Sequence, residues 1–264
     1  MHYSTVLLLA SANSLVTATP VSRRAAVTKF PSGTSWDIVL NDGNFDLAGL
    51  KAAKGDVLDI DLFDNTADGK TWIKELAKTK KVICYFSAGS REDWRPDAKD
   101  FAASDYGKEL DGWKGENWLD VTSTNVRNIM KKRIEAAAAA GCSAVDPDNV
   151  DGFDGNQDGF SKDASVYADY VNYLAGVAKN NTLAIGLKNA LDLIPSVINN
   201  IQFAVNEECH ANTECDRYKS VTKAGLAVFN IEYGINDCSE PSGVILSSVM
   251  KPANQSLDTL GGQC

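Results

Sequence analysis

The strongest constraint on this chain is an alternation. Short apolar runs of strand length recur along it, with helical patterns between several of them. The strand candidates are residues 36–40, 57–63, 81–87, 143–146, 183–188, 203–206, 226–232 and 244–250. Helical patterns fall at 71–79, 125–140, 164–179, 195–200 and 215–224. The clearest is 125–140, where Val126, Ile129, Met130 and Ile134 share one stripe, and Asp163 is placed to cap the next. Apolar runs this short read as strands buried on both faces of a parallel sheet. Eight of them interleaved with helices predict an α/β fold, a (β/α)8 TIM barrel in a single domain, ahead of an open doubly wound sheet. No Gly-x-Gly-x-x-Gly or Walker pattern follows the first strand, so the usual nucleotide reason for the open sheet is missing. A length of 264 residues suits one such domain.

The barrel domain is expected over 35–264, behind a signal peptide at 1–18 and a flexible leader at 19–34. The signal reading rests on an apolar run, Val6-Leu-Leu-Leu-Ala10, followed by small residues and the Val16-Thr-Ala18 cleavage pattern. It predicts a secreted, extracellular protein. Six cysteines agree with that compartment. Cys209 and Cys215 flank a polar loop and are expected to close a small ring; Cys238 and Cys264 are expected to pin the tail. Cys84 and Cys142 lie in apolar surroundings and read as buried free thiols. Asn180-Asn-Thr182 and Asn254-Gln-Ser256 are glycosylation sequons in an exported chain. A net charge of −9 argues against nucleic acid and anionic membranes as partners.

In a barrel, polar groups at the carboxyl ends of the strands converge on one face. Here those ends carry Asp59 and Asp61, Tyr85 and Ser87, Asp146 and Asp148, Lys188 and Asn189, Glu207 and Glu208, and Glu232 with Tyr233. The densest is Val145-Asp-Pro-Asp-Asn-Val-Asp-Gly152, where a buried strand leaves the core through three carboxylates. Carboxylates without a Cys-His or Ser-His partner point to glycosidase chemistry, in which one acid protonates the leaving oxygen and another attacks or activates water. Trp94, Trp113 and Trp118, on the long connection 88–120, are candidates for stacking on sugars. Asp154-Gly-Asn-Gln-Asp-Gly159 matches half of a calcium loop, but position twelve is Ser165 and lacks the bidentate ligand, so a turn is expected. No metal and no cofactor are expected.

Seven segments together resemble glycoside hydrolase family 114. They are Trp36-Asp-Ile38, Asp59-Ile-Asp61, Cys84-Tyr-Phe-Ser87, Trp118-Leu-Asp120, the 145–152 motif, Gly186-Leu-Lys-Asn189 and Val205-Asn-Glu-Glu-Cys209. The resemblance spans roughly residues 35–262. It implies a TIM-barrel endo-α-1,4-polygalactosaminidase that cleaves galactosaminogalactan-type polymer with retention. By motif position Asp148 is then the nucleophile and Glu207 the acid/base, with Asp61, Tyr85, Asp146, Lys188 and Glu232 around the substrate. Glu208 and Glu232 are competing positions for the acid. The implied partner is a polysaccharide containing galactosamine, bound by a monomer without nucleic acid or membrane. The competing readings are a non-catalytic carbohydrate-binding barrel and a glycosidase of different specificity.

Overall fold

The computed structural model describes residues 1–2, 26–40 and 45–264. The expected signal peptide therefore lies almost wholly outside the described residues. Eight parallel strands form one curled sheet in chain order: β1 (Trp36–Val39), β2 (Val57–Asp61), β3 (Lys81–Ser87), β7 (Ala144–Asp148), β8 (Ala184–Lys188), β9 (Phe203–Glu207), β10 (Ala227–Tyr233) and β11 (Ser247–Lys251). A two-residue strand, β12 (Gly262–Gln263), runs antiparallel along β11. Between them lie α1 (Leu47–Lys51), α2 (Trp72–Leu76), α3 (Thr124–Ala140), α4 (Ala164–Asn180), α5 (Ile194–Val197) and α6 (Lys219–Lys223). The fold is α/β, as the alternation requires. No helix among the described residues is long and apolar enough to cross a membrane.

The two edges of the curled sheet are brought together by side chains. The Trp36 indole donates to the Ser247 carbonyl at 2.6 Å, and the Gln263 amide donates to the Trp36 carbonyl at 2.6 Å. The Lys251 ammonium donates to Asp37 at 2.8 Å and to the Ile38 carbonyl at 2.6 Å.

Strand alternation divides the core in two. Inward residues, among them Trp36, Ile38, Val57, Ile83, Phe203, Val205, Phe229 and Ile231, fill the inside of the curl. Outward residues such as Val82, Cys84, Val145, Leu187 and Val228 pack against the helices. Gly186 has no room for a side chain on the inward face, because a Cβ would fall 2.3 Å from the Phe203 ring. Local signals set the long helices as expected. Ser123 accepts from Asn125 N and Val126 N to start α3, Gly141 ends it at φ 97, and Asp163 caps α4.

Three expectations need correction. Cys84 and Cys142 are not free thiols; they form a disulfide with Cα atoms 6.0 Å apart. The reason is topological: β3 lies beside β7, a neighbourhood invisible at a sequence separation of 58. The other two pairs, Cys209–Cys215 and Cys238–Cys264, are as expected. Second, the stretch read as leader is docked by its end: Phe30 is buried against Phe203 and Phe229, and its carbonyl accepts from Ala227 N at 2.8 Å. Third, the connection 88–120 is not a loop. It folds into an antiparallel sheet of β4 (Ser90–Glu92), β5 (Tyr106–Leu110) and β6 (Trp113–Leu119), in the order β4-β6-β5.

Candidate active site

The strand ends deliver inward residues to one place, centred on the Lys188 ammonium at the end of β8. Its nitrogen lies 3.5 Å from Glu207 Oε2, 3.6 Å from Asp148 Oδ2 and 3.9 Å from Asp146 Oδ2. Lys188 is fully buried. Burial alone would lower its pKa, but Asp148, Glu207 and Asp146 outweigh that and raise it, so the amine stays charged. The three acids differ in access. The side chains of Asp148 and Glu207 are 18% and 27% exposed, whereas Asp146 is at 0%. Only the first two face the open end of the curl.

Each exposed carboxylate is held by tyrosine and asparagine. Tyr85 OH donates to Asp148 Oδ2 at 3.0 Å, and Asn149 N donates to Asp148 Oδ1 at 2.8 Å. Tyr233 OH donates to Glu207 Oε1, and the Asn189 amide donates to Glu207 Oε2 at 3.3 Å while its Oδ1 accepts from Glu207 N at 2.9 Å. Burial pushes the Glu207 carboxyl up, but Lys188, Tyr233 and Asn189 together hold it below the usual range, so it is ionised in the free protein. Behind this pair, burial pushes Asp146 up to about 7 and Asp151 to about 6.

The backbone leaves these strands in a costly conformation. Asn149 after β7, Asn189 and Ala190 after β8, and Glu208 after β9 all take positive φ, from 46 to 65. Asparagine tolerates that region; alanine and glutamate do so at about 1 kcal/mol or more, a pattern that gathers where a site over-determines its backbone. The turn after β3 is equally constrained, since a Cβ on Gly89 would lie 1.6 Å from the Asn149 carbonyl oxygen.

The inserted sheet adds a fourth carboxyl. Glu116 on β6 accepts from Ser87 Oγ at 3.2 Å, from the Asn149 amide at 3.0 Å and from Ser90 Oγ. Burial pushes it up to about 7. Ser87 Oγ also lies 3.4 Å from Tyr85 OH, so Glu116 and Asp148 are held by adjacent hydroxyls, each of which gives its one proton to its own carboxylate. Sequence reasoning missed Glu116 because nothing in a βα pattern points into an insertion. It named Tyr233 only as a strand end, although alternation along Phe229, Ile231 and Tyr233 turns it inward.

Two residues expected around the substrate lie elsewhere. Asp61 is inward on β2 but is taken by Arg95, whose guanidinium donates to both its oxygens and to Glu92, so it anchors the insertion. Glu232 sits on the outward face of β10, opposite in phase to Tyr233, and accepts from His210 N and from the His210 ring, each at 2.9 Å. Cys209, His210, Cys215 and Glu232 converge within 4.8 Å, but the disulfide occupies both thiols, and the imidazole also bonds the Ser239 carbonyl at 2.8 Å. The cluster is a pin rather than a metal cradle. In the half-matched calcium loop Asp158 turns inward to accept from Tyr167 OH at 2.8 Å. Of the three loop tryptophans, Trp94 and Trp113 are exposed and Trp118 is buried.

A lysine straddled by two accessible carboxylates at strand ends can support displacement at an acetal carbon, with one acid as attacker and the other as proton donor. Comparison with known proteins agrees. A family model for glycoside-hydrolase family GH114 matches residues 17–261. The chain is similar to Aspergillus fumigatus Ega3, whose crystal structure is a complex with galactosamine. Identity is 38% and the TM-score 0.77, covering 92% of this chain and 100% of that one. It also shares its fold with the glycoside hydrolase domain of PelA from Pseudomonas aeruginosa, at 14% identity and a TM-score of 0.64, covering 88% and 98%. A search of the curated proteins found no match. The chain belongs to glycoside-hydrolase family GH114 and is a glycoside hydrolase.

Proposed function

We propose that this chain is a secreted, endo-acting hydrolase of α-1,4-linked galactosamine polysaccharide, working by a retaining two-carboxylate mechanism within a closed (β/α)8 barrel. The observation that carries the reading is Lys188, which holds Asp148 and Glu207 on either side of one ammonium at 3.6 and 3.5 Å. Retaining enzymes place their carboxyls about 5–5.5 Å apart and inverting ones about 6.5–9.5 Å, and retention is the outcome that the family resemblance implies. The complex of Ega3 with galactosamine supports the substrate class. Three disulfides support export, and the sequons at Asn180 and Asn254 are then open to glycosylation. The chain acts as a monomer.

Asp148 attacks the anomeric carbon while Glu207 protonates the departing oxygen, and Glu207 then deprotonates the water that releases the glycosyl-enzyme. An acid must carry its proton into the bound complex, whereas the free protein keeps Glu207 ionised. A sugar that expels water and draws Lys188 toward Asp148 removes the largest force holding Glu207 down. Its proton affinity then rises, as the acid role requires. A net charge of −9 favours a polymer bearing free amines.

The test is product analysis on deacetylated and acetylated α-1,4-galactosaminan. The reading predicts a ladder of internal fragments from the deacetylated polymer, with the α anomer formed first by NMR. Cleavage of only the acetylated polymer would overturn the specificity, and a β anomer formed first would overturn retention.

A further inference from the structure

Below Lys188 lie two carboxyls that the hydrolytic roles leave unused. Asp59 on β2 and Asp146 on β7 are completely buried, and all four of their oxygens lack a donor among the described residues. Each side chain acts electrostatically on the other inside the curl. An ionised carboxylate only accepts, so two of them can bond only if one carries a proton. Two like charges in a dry interior would also repel strongly.

Lys188 breaks the symmetry of the pair. Its ammonium is 3.9 Å from Asp146 Oδ2, while Asp59 makes no ion pair among the described residues. The other groups facing the pair are Tyr85 from β3, Asp148 from β7 and Glu207 from β9. The two acids among them disfavour a second negative charge.

We propose that Asp59 is a protonated carboxylic acid that donates to ionised Asp146, and that this pair positions Lys188 between Asp148 and Glu207. The anion beneath Lys188 opposes its withdrawal toward the solvent-facing acids, and the proton on Asp59 lets that anion exist without a donor from the backbone. The kinetic consequence rests on the hydrolytic reading given above; the protonation state does not. The directions of the two groups agree, with burial the largest force raising both.

Infrared difference spectroscopy of the full chain carrying 13C-labelled aspartate tests the proton directly, without turnover. At neutral pH the wild type should show the carbonyl stretch of a buried protonated carboxylic acid. Asp59→Asn should abolish it and Asp146→Asn should retain it. Absence of the band in the wild type, or its loss only in Asp146→Asn, would overturn the assignment. Melting curves establish that each variant is folded, and the wild-type spectrum decides even if one is not. Kinetics then test the positioning. Asp59→Asn supplies a neutral donor, so it should keep the shape of the kcat/KM pH profile with a loss below about tenfold. Asp146→Asn removes the anion and should lower kcat about 100-fold, the scale of a misplaced catalytic group, with a displaced profile. Equal damage in the two variants, or an unchanged profile in Asp146→Asn, would refute the positioning role. If the wild type cleaves no galactosaminan, the hydrolytic reading fails while the spectroscopic result still stands or falls alone.

Discussion

Two buried lysines end neighbouring regions of the same curled sheet, and they are held in opposite ways. Lys251, at the seam between β11 and β1, makes three short hydrogen bonds of 2.6–2.8 Å, to Asp37 and to the Ile38 and Thr259 carbonyls. Its donors are saturated by one acid and two backbone groups, and burial lowers its pKa. Lys188 instead faces three acids at 3.5–3.9 Å, and its pKa is raised. A structural cation is finished by the fold. A functional one is surrounded by more negative charge than it needs, at distances that leave room for a ligand to rearrange them.

Removing each charge separates the two roles. Lys188→Met should lower kcat by about 1,000-fold, the upper range for loss of a preorganised electrostatic group, with a stability cost below that of Lys251→Met, because Asp148 and Glu207 are partly exposed and Asp146 can take up a proton. Steady-state kinetics with calorimetry measure both. Lys251→Met should do the reverse, costing about 3 kcal/mol of unfolding free energy by leaving Asp37 buried without its cation, with kcat within a factor of a few. Denaturant unfolding checks it. If Lys188→Met destabilises more than Lys251→Met and keeps activity, the contrast is broken.

The support around Glu207 sharpens the picture further. Tyr233→Phe removes a donor that holds Glu207 down. The Glu207 pKa should rise, moving the alkaline limb of kcat/KM to higher pH with a loss of about tenfold in rate. A pH–rate profile reads the shift.

The smallest effect belongs to His210, outside the Lys188 cluster. Both its ring nitrogens face acceptors, Glu232 and the Ser239 carbonyl, so both bonds form only in the imidazolium. Although burial lowers its pKa, the Ser239 carbonyl and Glu232 outweigh that and raise it above 6.5. For a raised folded pKa, the stabilisation is complete below the unfolded value and is lost as pH climbs through the folded one. The melting-temperature difference between wild type and His210→Leu should therefore be a few degrees near pH 5.5 and shrink on the alkaline side. A difference that grows with pH would contradict the pairing.

These contrasts mark what the sequence could disclose. Most of the parallel strands were legible because they are buried on both faces and read as apolar runs, β11 (Ser247–Lys251) being only partly so, and α3 and α4 carried their own caps. The inserted sheet was not, because residues 88–120 mix polar residues with tryptophan, and β5 pairs with β6 through register shifts at Tyr106, Glu109 and Leu110. That one miss concealed Arg95, which claims Asp61, and Glu116, which accepts from Ser87, Ser90 and Asn149. The Cys84–Cys142 bridge depends on which strands are neighbours. Glu232 was different: two-residue alternation along β10 already sets it opposite to Phe229, Ile231 and Tyr233, so applying the pleat would have chosen the tyrosine.

The most direct test of the central claim is release of soluble oligosaccharides from α-1,4-galactosaminan by wild type, Asp148→Asn and Glu207→Gln, each shown to be folded by its melting curve. The account predicts turnover by the wild type and a fall of at least about 1,000-fold in both variants, since each removes one half of a two-carboxylate mechanism. Activity surviving in Glu207→Gln, or equal activity in all three proteins, would contradict it.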